Sequence, residues 1–350
     1  MKLIKPELST LEVHSIAIEL QVLAGGKIDQ IYEVDDEYFF QFHVPSVGKK
    51  LLRILSGKLA YFTAHKILMD TPGNFCMQLR KHLSGAGVLS LEQVESQRII
   101  KLTLKRADER FVLYFELFSK GNIILCNDKQ EIIALLERQS WESREVKPHE
   151  KYVLPPLEFN LFEIDRKQFD KKLKADKDKL VTLLAPELSI GGFYAEELCR
   201  RAKLDKDMVP GTLRASDKTL LWTELQKLLK ETARPLGFVY EGVISPVKLT
   251  DMAIAQEFET FSLALDVFLS TSKAAQEKAR LEDRYKQKIK EYERILEDQG
   301  KRLAGIDGRV AEYAAVGDLM YQKYTELKKL LAFAEHVRAT SGWGEVEKEL

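Results

Sequence analysis

Apolar residues recur at Leu11, Ile16, Leu20 and Leu23, behind Ser9 and Thr10 and ahead of Gly25-Gly26, with Glu12 in the first turn. That spacing predicts an amphipathic helix over 8–23, capped at its start and broken by the glycines. The pattern then changes to short apolar runs at 27–34, 38–44, 50–54 and 59–63. Asp35-Asp36 and Ser56-Gly57 fall in the breaks. Breaks of about three to five residues between such runs favour antiparallel hairpins. A helix follows at 75–83, and the strand pattern resumes at 88–94, 99–106, 110–117, 122–126 and 132–137. The first part of the chain is thus expected to be an antiparallel sheet or sandwich with two helices.

Pro155-Pro156 ends this region, and 162–230 reads as helical, punctuated by Gly191-Gly192 and Pro210-Gly211. A small extended segment is expected over 235–249, and another helix begins near Ser262. From Tyr285 the period changes again. Tyr285, Ile289, Tyr292, Leu296, Gln299, Leu303, Ile306, Val310, Tyr313, Gly317, Met320, Tyr324, Leu327, Leu331 and Ala334 alternate spacings of four and three. This is a heptad seam, on a helix of roughly 75 Å at 1.5 Å per residue. Such a seam calls for a partner helix. Ser341-Gly342 is expected to break the helix, so the partner is expected outside the 350 residues, with a homodimer as the other way to cover the seam. The predicted class is α+β, with a β-rich lobe over 1–160, a helical domain over 161–270 and a coiled-coil arm over 271–350.

Charge changes this picture only locally. Lys and Arg together number 54, as do Asp and Glu, so a nucleic-acid surface has to be a patch rather than a whole-chain excess. Cys76, Cys126 and Cys199 lie far apart with no CxxC, which predicts neither a zinc ribbon nor a disulfide framework. No histidine pair has metal-ligand spacing, no Gly-rich phosphate loop of the P-loop type occurs and no GxSxG is present. The expectation is a non-enzymatic protein without metal or cofactor. The absence of an apolar signal core or of about 18 consecutive apolar residues predicts a cytoplasmic chain with no membrane partner.

Basic residues are the remaining candidates. Arg80, Lys81 and His82 cluster on the second helix, and Arg98 opens a strand; together they suggest a helix and a strand start facing one phosphate backbone. A solvated helix face and an ordinary strand-end arginine explain them equally well. Lys120 and Asn122 sit in the turn Ser119-Lys120-Gly121-Asn122, which is either a hairpin corner or a place for a phosphate against backbone N–H groups. Arg144, with Arg138 and Lys147, extends the same basic rim, and Trp141 reads as a packing residue. Residues 187–204, ELSIGGFYAEELCRRAKL, give a helix–turn–helix pattern similar to the helix–two-turn–helix of formamidopyrimidine-type DNA glycosylases. The proline nucleophile and zinc finger of those enzymes are missing. A nucleic-acid binder with glycosylase-like architecture and no glycosylase activity is therefore the alternative reading.

The ordered segments LSTLEVHSIAIELQVLAGGKIDQIY, PGNFCMQLRKHLSGAGV, SQRIIKLTL, FSKGNIILCND, REVKPHEKYVLPP, GGFYAEELCRRAKL and FETFSLALDVFLS resemble the amino-terminal half of the NFACT family. The resemblance implies a factor of ribosome-associated quality control. It would bind the large ribosomal subunit and its rRNA when obstructed by peptidyl-tRNA. There it would recruit tRNA, alanyl-tRNA in the prokaryotic branch, for template-free tailing of the stalled chain, while the ribosome performs peptidyl transfer. The resemblance also implies that the family's first-helix acid and Asp-Arg pair, which engage tRNA, fall on Glu12, Gln97 and Arg98. The acid is Glu rather than Asp, and the Asp of the pair is Gln, which keeps hydrogen-bonding capacity without the charge. The family's middle module, return coil and carboxy-terminal domain are expected to lie outside the chain.

Overall fold

In the computed structural model, residues 7–65, 71–141, 144–174, 179–234, 236–344 and 346 are described, without the side chains of 272–282 and 341. The chain divides into two compact units, Met1–Lys273 and Ala274–Leu350.

The first unit opens with α1 (Thr10–Glu19), continued by a 3-10 turn over Leu20–Leu23. Ser9 and Glu12 form a reciprocal cap. The Ser9 N–H donates to Glu12 Oε2 at 2.7 Å, and the Glu12 N–H donates to Ser9 Oγ at 3.3 Å. Two otherwise orphaned donors are satisfied this way, which is why the helix starts here. The strands follow as β1 (Lys27–Val34), β2 (Glu37–Val44), β3 (Gly48–Leu55) and β4 (Leu59–Phe62). After α2 (Asn74–Leu83) come β5 (Gly87–Gln93), β6 (Ile99–Arg106), β7 (Glu109–Glu116), β8 (Asn122–Asn127) and β9 (Ile132–Leu135). They form one antiparallel sheet in the order β4-β3-β2-β1-β5-β6-β7-β8-β9.

β1 and β5 meet through a single residue pair, Lys27 with Gly87, and at that joint the sheet folds on itself. Phe40 of β2 and Phe115 of β7 stand four strands apart in order, yet their rings meet edge-to-face at 5.4 Å with both side chains fully buried. The turns beyond them touch as well: the Gly57 N–H donates to the Glu116 carbonyl at 3.2 Å. The result is a sandwich whose core runs from Ile28 and Phe42 to Leu113 and Leu125. Each buried Phe or Leu contributes about 1.5–3 kcal/mol through the apolar surface it removes from water.

A small hairpin, β10 (Gln139–Trp141) with β11 (Arg144–Val146), leads to the helical part. There lie α3 (Arg166–Lys172), α4 (Leu180–Glu187), α5 (Gly191–Arg201) and α6 (Ala215–Thr232). Glu187 ends α4 rather than opening the next helix, and Gly191, at φ 74°, starts α5. A three-stranded sheet of β12 (Gly237–Val239), β13 (Ile244–Ser245) and β14 (Gln256–Phe258) completes this lobe. α1 is the wall shared by both lobes. Val13, Ile16 and Leu20 face the sandwich core, while Leu11 joins the helical core beside Leu184, Tyr194 and Leu198. Cys76, Cys126 and Cys199 are buried free thiols.

α7 (Phe261–Gln322) begins on this unit. Glu19 Oε1 accepts the Phe261 N–H at 2.5 Å, so a carboxylate sits on the positive end of the helix. In the second unit α7 is followed by α8 (Tyr324–Ser341), the two separated only at Lys323. The seam residues Tyr285, Tyr292, Leu296, Leu303, Val310, Tyr313 and Leu331 are all at least 61% exposed, so no helix among the described residues covers them. Gly342, at φ 80°, ends α8. No helix among the described residues is long and apolar enough to cross a membrane.

Candidate functional site

Strand β6 organises the candidate residues, because they fall at its two ends. At its start, Arg98 is half-buried, and its Nη1 donates to the Leu8 carbonyl at 3.3 Å and pairs with Glu7 at 3.7 Å. Backbone bonds gather three other segments around it. The Leu117 N–H reaches the Arg98 carbonyl at 2.8 Å, the Leu8 N–H reaches the Lys58 carbonyl at 3.0 Å, and Gly57 is bonded to Glu116 as above. Lys120 is exposed in the turn that follows, at the same end of the sheet.

The contact between turns requires glycine on both sides. Gly57 and Gly121 both have φ of 72°, and a Cβ on Gly121 would lie 1.8 Å from the Gly57 nitrogen. The Ser119–Asn122 turn therefore locks the sandwich shut, which its sequence alone did not reveal.

Glu12 lies in the first turn of α1. Its Oε1 accepts the Tyr194 hydroxyl of α5 at 3.0 Å while Oε2 holds the Ser9 N–H. Burial pushes the Glu12 carboxyl above its usual range, opposed by the Ser9 and Tyr194 hydrogen bonds and by nearby Arg98. Gln97 donates from Nε2 to the Pro155 carbonyl at 2.8 Å, and its Oε1 is buried without a partner among the described residues. An aspartate here could not donate to that carbonyl, so the amide ties the Pro155 segment to the sheet. Sequence reasoning missed Gln93. Its Nε2 bonds the carbonyls of Thr10 (3.2 Å) and Gln97 (2.8 Å), and its Oε1 meets His14 Nδ1 at 3.1 Å, coupling α1 to the Gln97–Arg98 turn. No sequence spacing signals a link 83 residues long.

Arg98, Ser9 and Thr10 share an open cleft of about 470 Å³ with Pro186, Ser189 and Gly191 of the α4–α5 turn. The first turn of α5 has no side-chain cap, and a Cβ on Gly191 or Gly192 would meet nothing within 4 Å. The cleft thus presents the Arg98 guanidinium, with the Glu7 carboxylate beside it, and a bare helix N-terminus together.

Two other expected contacts are committed elsewhere. Asn122 is 1% exposed; its Nδ2 donates to the Glu137 carbonyl at 2.8 Å, and its Oδ1 accepts the N–H groups of Ile123 and Glu137. Arg144 makes a bidentate pair with Glu116 at 2.7 and 3.1 Å. Tyr152 also donates to Glu116, and the Arg144 guanidinium lies 4.5 Å from the Trp141 ring centroid. Neither side chain presents a polar atom to a ligand in this arrangement. Both pin the sandwich, and Trp141, though 38% exposed, packs on Arg144.

Arg80 and Lys81 do not face Arg98, contrary to the expectation of one helix–strand grip. Arg80 Nε donates to the Ile31 carbonyl at 2.7 Å, and the Lys81 carbonyl accepts Arg106 Nη1 at 2.5 Å. Arg106 is the far end of β6, about 26 Å from Arg98 at 3.3 Å per residue. The end of α2 packs there because Cys76, Leu79 and Leu83 bury against the sandwich core. Among the described residues no group of three His, Cys, Asp or Glu could hold a metal ion.

Fold and cleft together define an α+β protein of two lobes, an antiparallel sandwich and a helical lobe, sharing α1 and opening a cleft between Arg98 and the α4–α5 turn. The chain belongs to the NFACT family: the model for the NFACT N-terminal and middle domains matches residues 9–341. The archaeal Rqc2 homolog aRqcH of Methanocaldococcus jannaschii is 28% identical to it, over 98% of this chain and 54% of that protein. Ribosome quality control complex subunit 2 of Saccharomyces cerevisiae is 35% identical over 37% of this chain and 13% of that protein. The chain spans about half the length of the archaeal relative. Among solved structures, the amino-terminal part of the fibronectin/fibrinogen-binding protein of Streptococcus suis aligns with a TM-score of 0.62 at 19% identity, covering 76% of this chain and all of that one. This last likeness concerns the fold.

Proposed function

We propose that the chain is a tRNA-binding part of a ribosome quality control factor, engaging tRNA through the Arg98 cleft on a large ribosomal subunit that carries a stalled peptidyl-tRNA. The family and the ribosome quality control relatives support the setting. The observation that carries the site is the convergence of Arg98 with the uncapped Gly191 end of α5 in one open cleft. A guanidinium and free helix N–H groups are what a phosphate requires. Lys120 stands at the same end of the sheet. Glu12 and Gln97 act by holding the cleft walls, α1 to α5 and the Arg98 turn to Pro155. In this reading tRNA is delivered, alanyl-tRNA in the prokaryotic branch, and the ribosome supplies the peptidyl-transfer chemistry. The seam of α7 and α8 serves as a coiled-coil arm.

The test is tRNA binding at several salt concentrations. Arg98→Ala is expected to weaken tRNA binding about tenfold, within the range for a charge-assisted contact. Its ion pair is partly exposed, so the thermal midpoint should move little. Unchanged binding by a folded Arg98→Ala chain overturns the site.

A further inference from the structure

Residues directly opposite on adjacent antiparallel strands project from the same face. Lys49 of β3 pairs with His43 of β2, His43 with Lys27 of β1, Lys27 with Gly87 of β5, Gly87 with Lys105 of β6, and Lys105 with Arg110 of β7. Five cationic or ionisable side chains thus stand in one cross-strand row over six strands, interrupted only by a glycine. All five are exposed. The adjacent residues Ile28, Phe42, Val88, Leu104 and Phe111 are buried, which puts the row on the solvent face. At about 4.8 Å between strands, the row follows a path of roughly 24 Å.

A row of like charges is unfavourable to the sheet, because like charges directly opposite destabilise a ladder. Among the described residues, Lys27, Lys49, Lys105 and Arg110 have neither an ion pair nor a side-chain hydrogen bond. The other end of the same strands differs, since Lys101 meets Glu92 at 2.8 Å and Arg53 meets Glu37 at 2.5 Å. The next outward row on β5, β6 and β7, Ser90–Thr103–Val112, carries no charge. The nearby acids are Asp29, which accepts from the Gln41 amide, Glu33, which lines a cleft with Asp29 and Lys49, Asp108 in the β6–β7 turn and Glu109 at the start of β7. Lys81 and Arg106 add two cations at the end of α2.

We propose that this row is a second RNA-contact surface, gripping the sugar–phosphate backbone by charge alone and reading no bases. The proposal rests on the reading of the chain as an RNA-binding protein. A polyanion suits the row better than an acidic peptide does. Along the row each strand pairs with the next, Lys27 with Gly87 included, so it offers no free edge to a peptide, and the cleft beside Lys49 is lined by the acids Asp29 and Glu33. Neutralising several cations with a polyanion is driven by counterion release, which needs no pocket.

The experiment measures binding of the 350-residue chain to tRNA and to an unrelated RNA hairpin across a salt series. The Lys105→Gln/Arg110→Gln double variant is expected to flatten the plot of log affinity against log salt by about 1.5–2. It should weaken both RNAs by the same factor while remaining folded, since it removes a repulsive pair. An unchanged slope overturns the proposal, as does a loss confined to tRNA or tighter binding to polyglutamate than to RNA. Arg98→Ala in parallel separates the two surfaces. A flattened slope in the double variant with a silent Arg98→Ala keeps the row and removes the cleft. The reverse keeps the cleft and removes the row, and a wild-type chain that binds no RNA overturns both.

Discussion

The two ends of β6 are built on opposite rules. At the Arg98 end charges are matched and partly buried: Arg98 with Glu7, Arg144 with Glu116, Glu12 under the Tyr194 hydroxyl. The surrounding turns interlock through their backbones at Gly57 and Gly121. At the Arg106 end, Lys27, Lys105 and Arg110 stand on the solvent face, with no ion pair or side-chain hydrogen bond among the described residues. The first end is a shaped cleft whose geometry has to be held; the second is a field that needs only charge. A shaped site therefore couples binding to stability, whereas a charged face can be altered without disturbing the fold.

The largest expected effect tests this directly. Arg144→Ala leaves Glu116, which is 1% exposed, without its cationic partner. Removing one member of a buried pair costs about 3–5 kcal/mol. Arg110→Ala at the other end should change stability by no more than about 0.5 kcal/mol, as for other surface substitutions. Urea unfolding of the two variants makes the comparison. Equal losses would show that the cleft end is no more tightly held than the charged face.

Glycines give the next test, one at each end. Gly121→Ala places a Cβ against the Gly57 backbone at a φ of 72° and is expected to lower stability by about 2 kcal/mol or more. Gly87→Ala, inside the cationic row, meets only ordinary contacts, the closest being the Lys105 carbonyl at 3.7 Å. It should be close to neutral in a thermal melt. A tolerated Gly121→Ala would mean that the turns do not lock the sandwich.

Local elements were legible in the sequence, and the pairings between them were not. The Ser9–Glu12 cap and the apolar spacing of α1 mark a helix from nearby residues, and the strand run at 27–34 coincides with β1. Family likeness directs attention to Glu12, Gln97 and Arg98, and the structure brings those three to one region. Asn122 and Arg144 looked like rim residues because their partners, Glu137 and Glu116, lie 15 and 28 residues away. Nothing local reveals that such a side chain turns inward. The same limit hid the cationic row, whose members are scattered between 27 and 110 and meet only through the register of six strands. It also made α2 seem to face Arg98, since sequence adjacency does not tell which end of β6 the helix covers.

The smallest effect offers the cleanest way to tell the ends apart, because a half-buried histidine lies at each, His82 on α2 and His14 beside the cleft. His82 is held below its ordinary range by burial and by Lys81; Glu109 pulls the other way, and Arg106 adds a smaller push down. His14, near the cleft, is lowered by burial, opposed by its contact with Gln93, and its ring stacks on Phe162 at 4.0 Å. A phosphate backbone on the cationic row would offset the field of Lys81 and Arg106 and favour the protonated imidazole. The pKa of His82 should then rise on RNA binding, by about half a unit after screening. The bound state takes up protons, so affinity should rise as pH falls through the His82 range, by about threefold at most for that shift. NMR titration of the two imidazoles, with and without RNA, reads each end separately. A His82 that stays fixed while His14 moves would confine RNA to the cleft, and the charged end of β6 would then be no more than a solvated face.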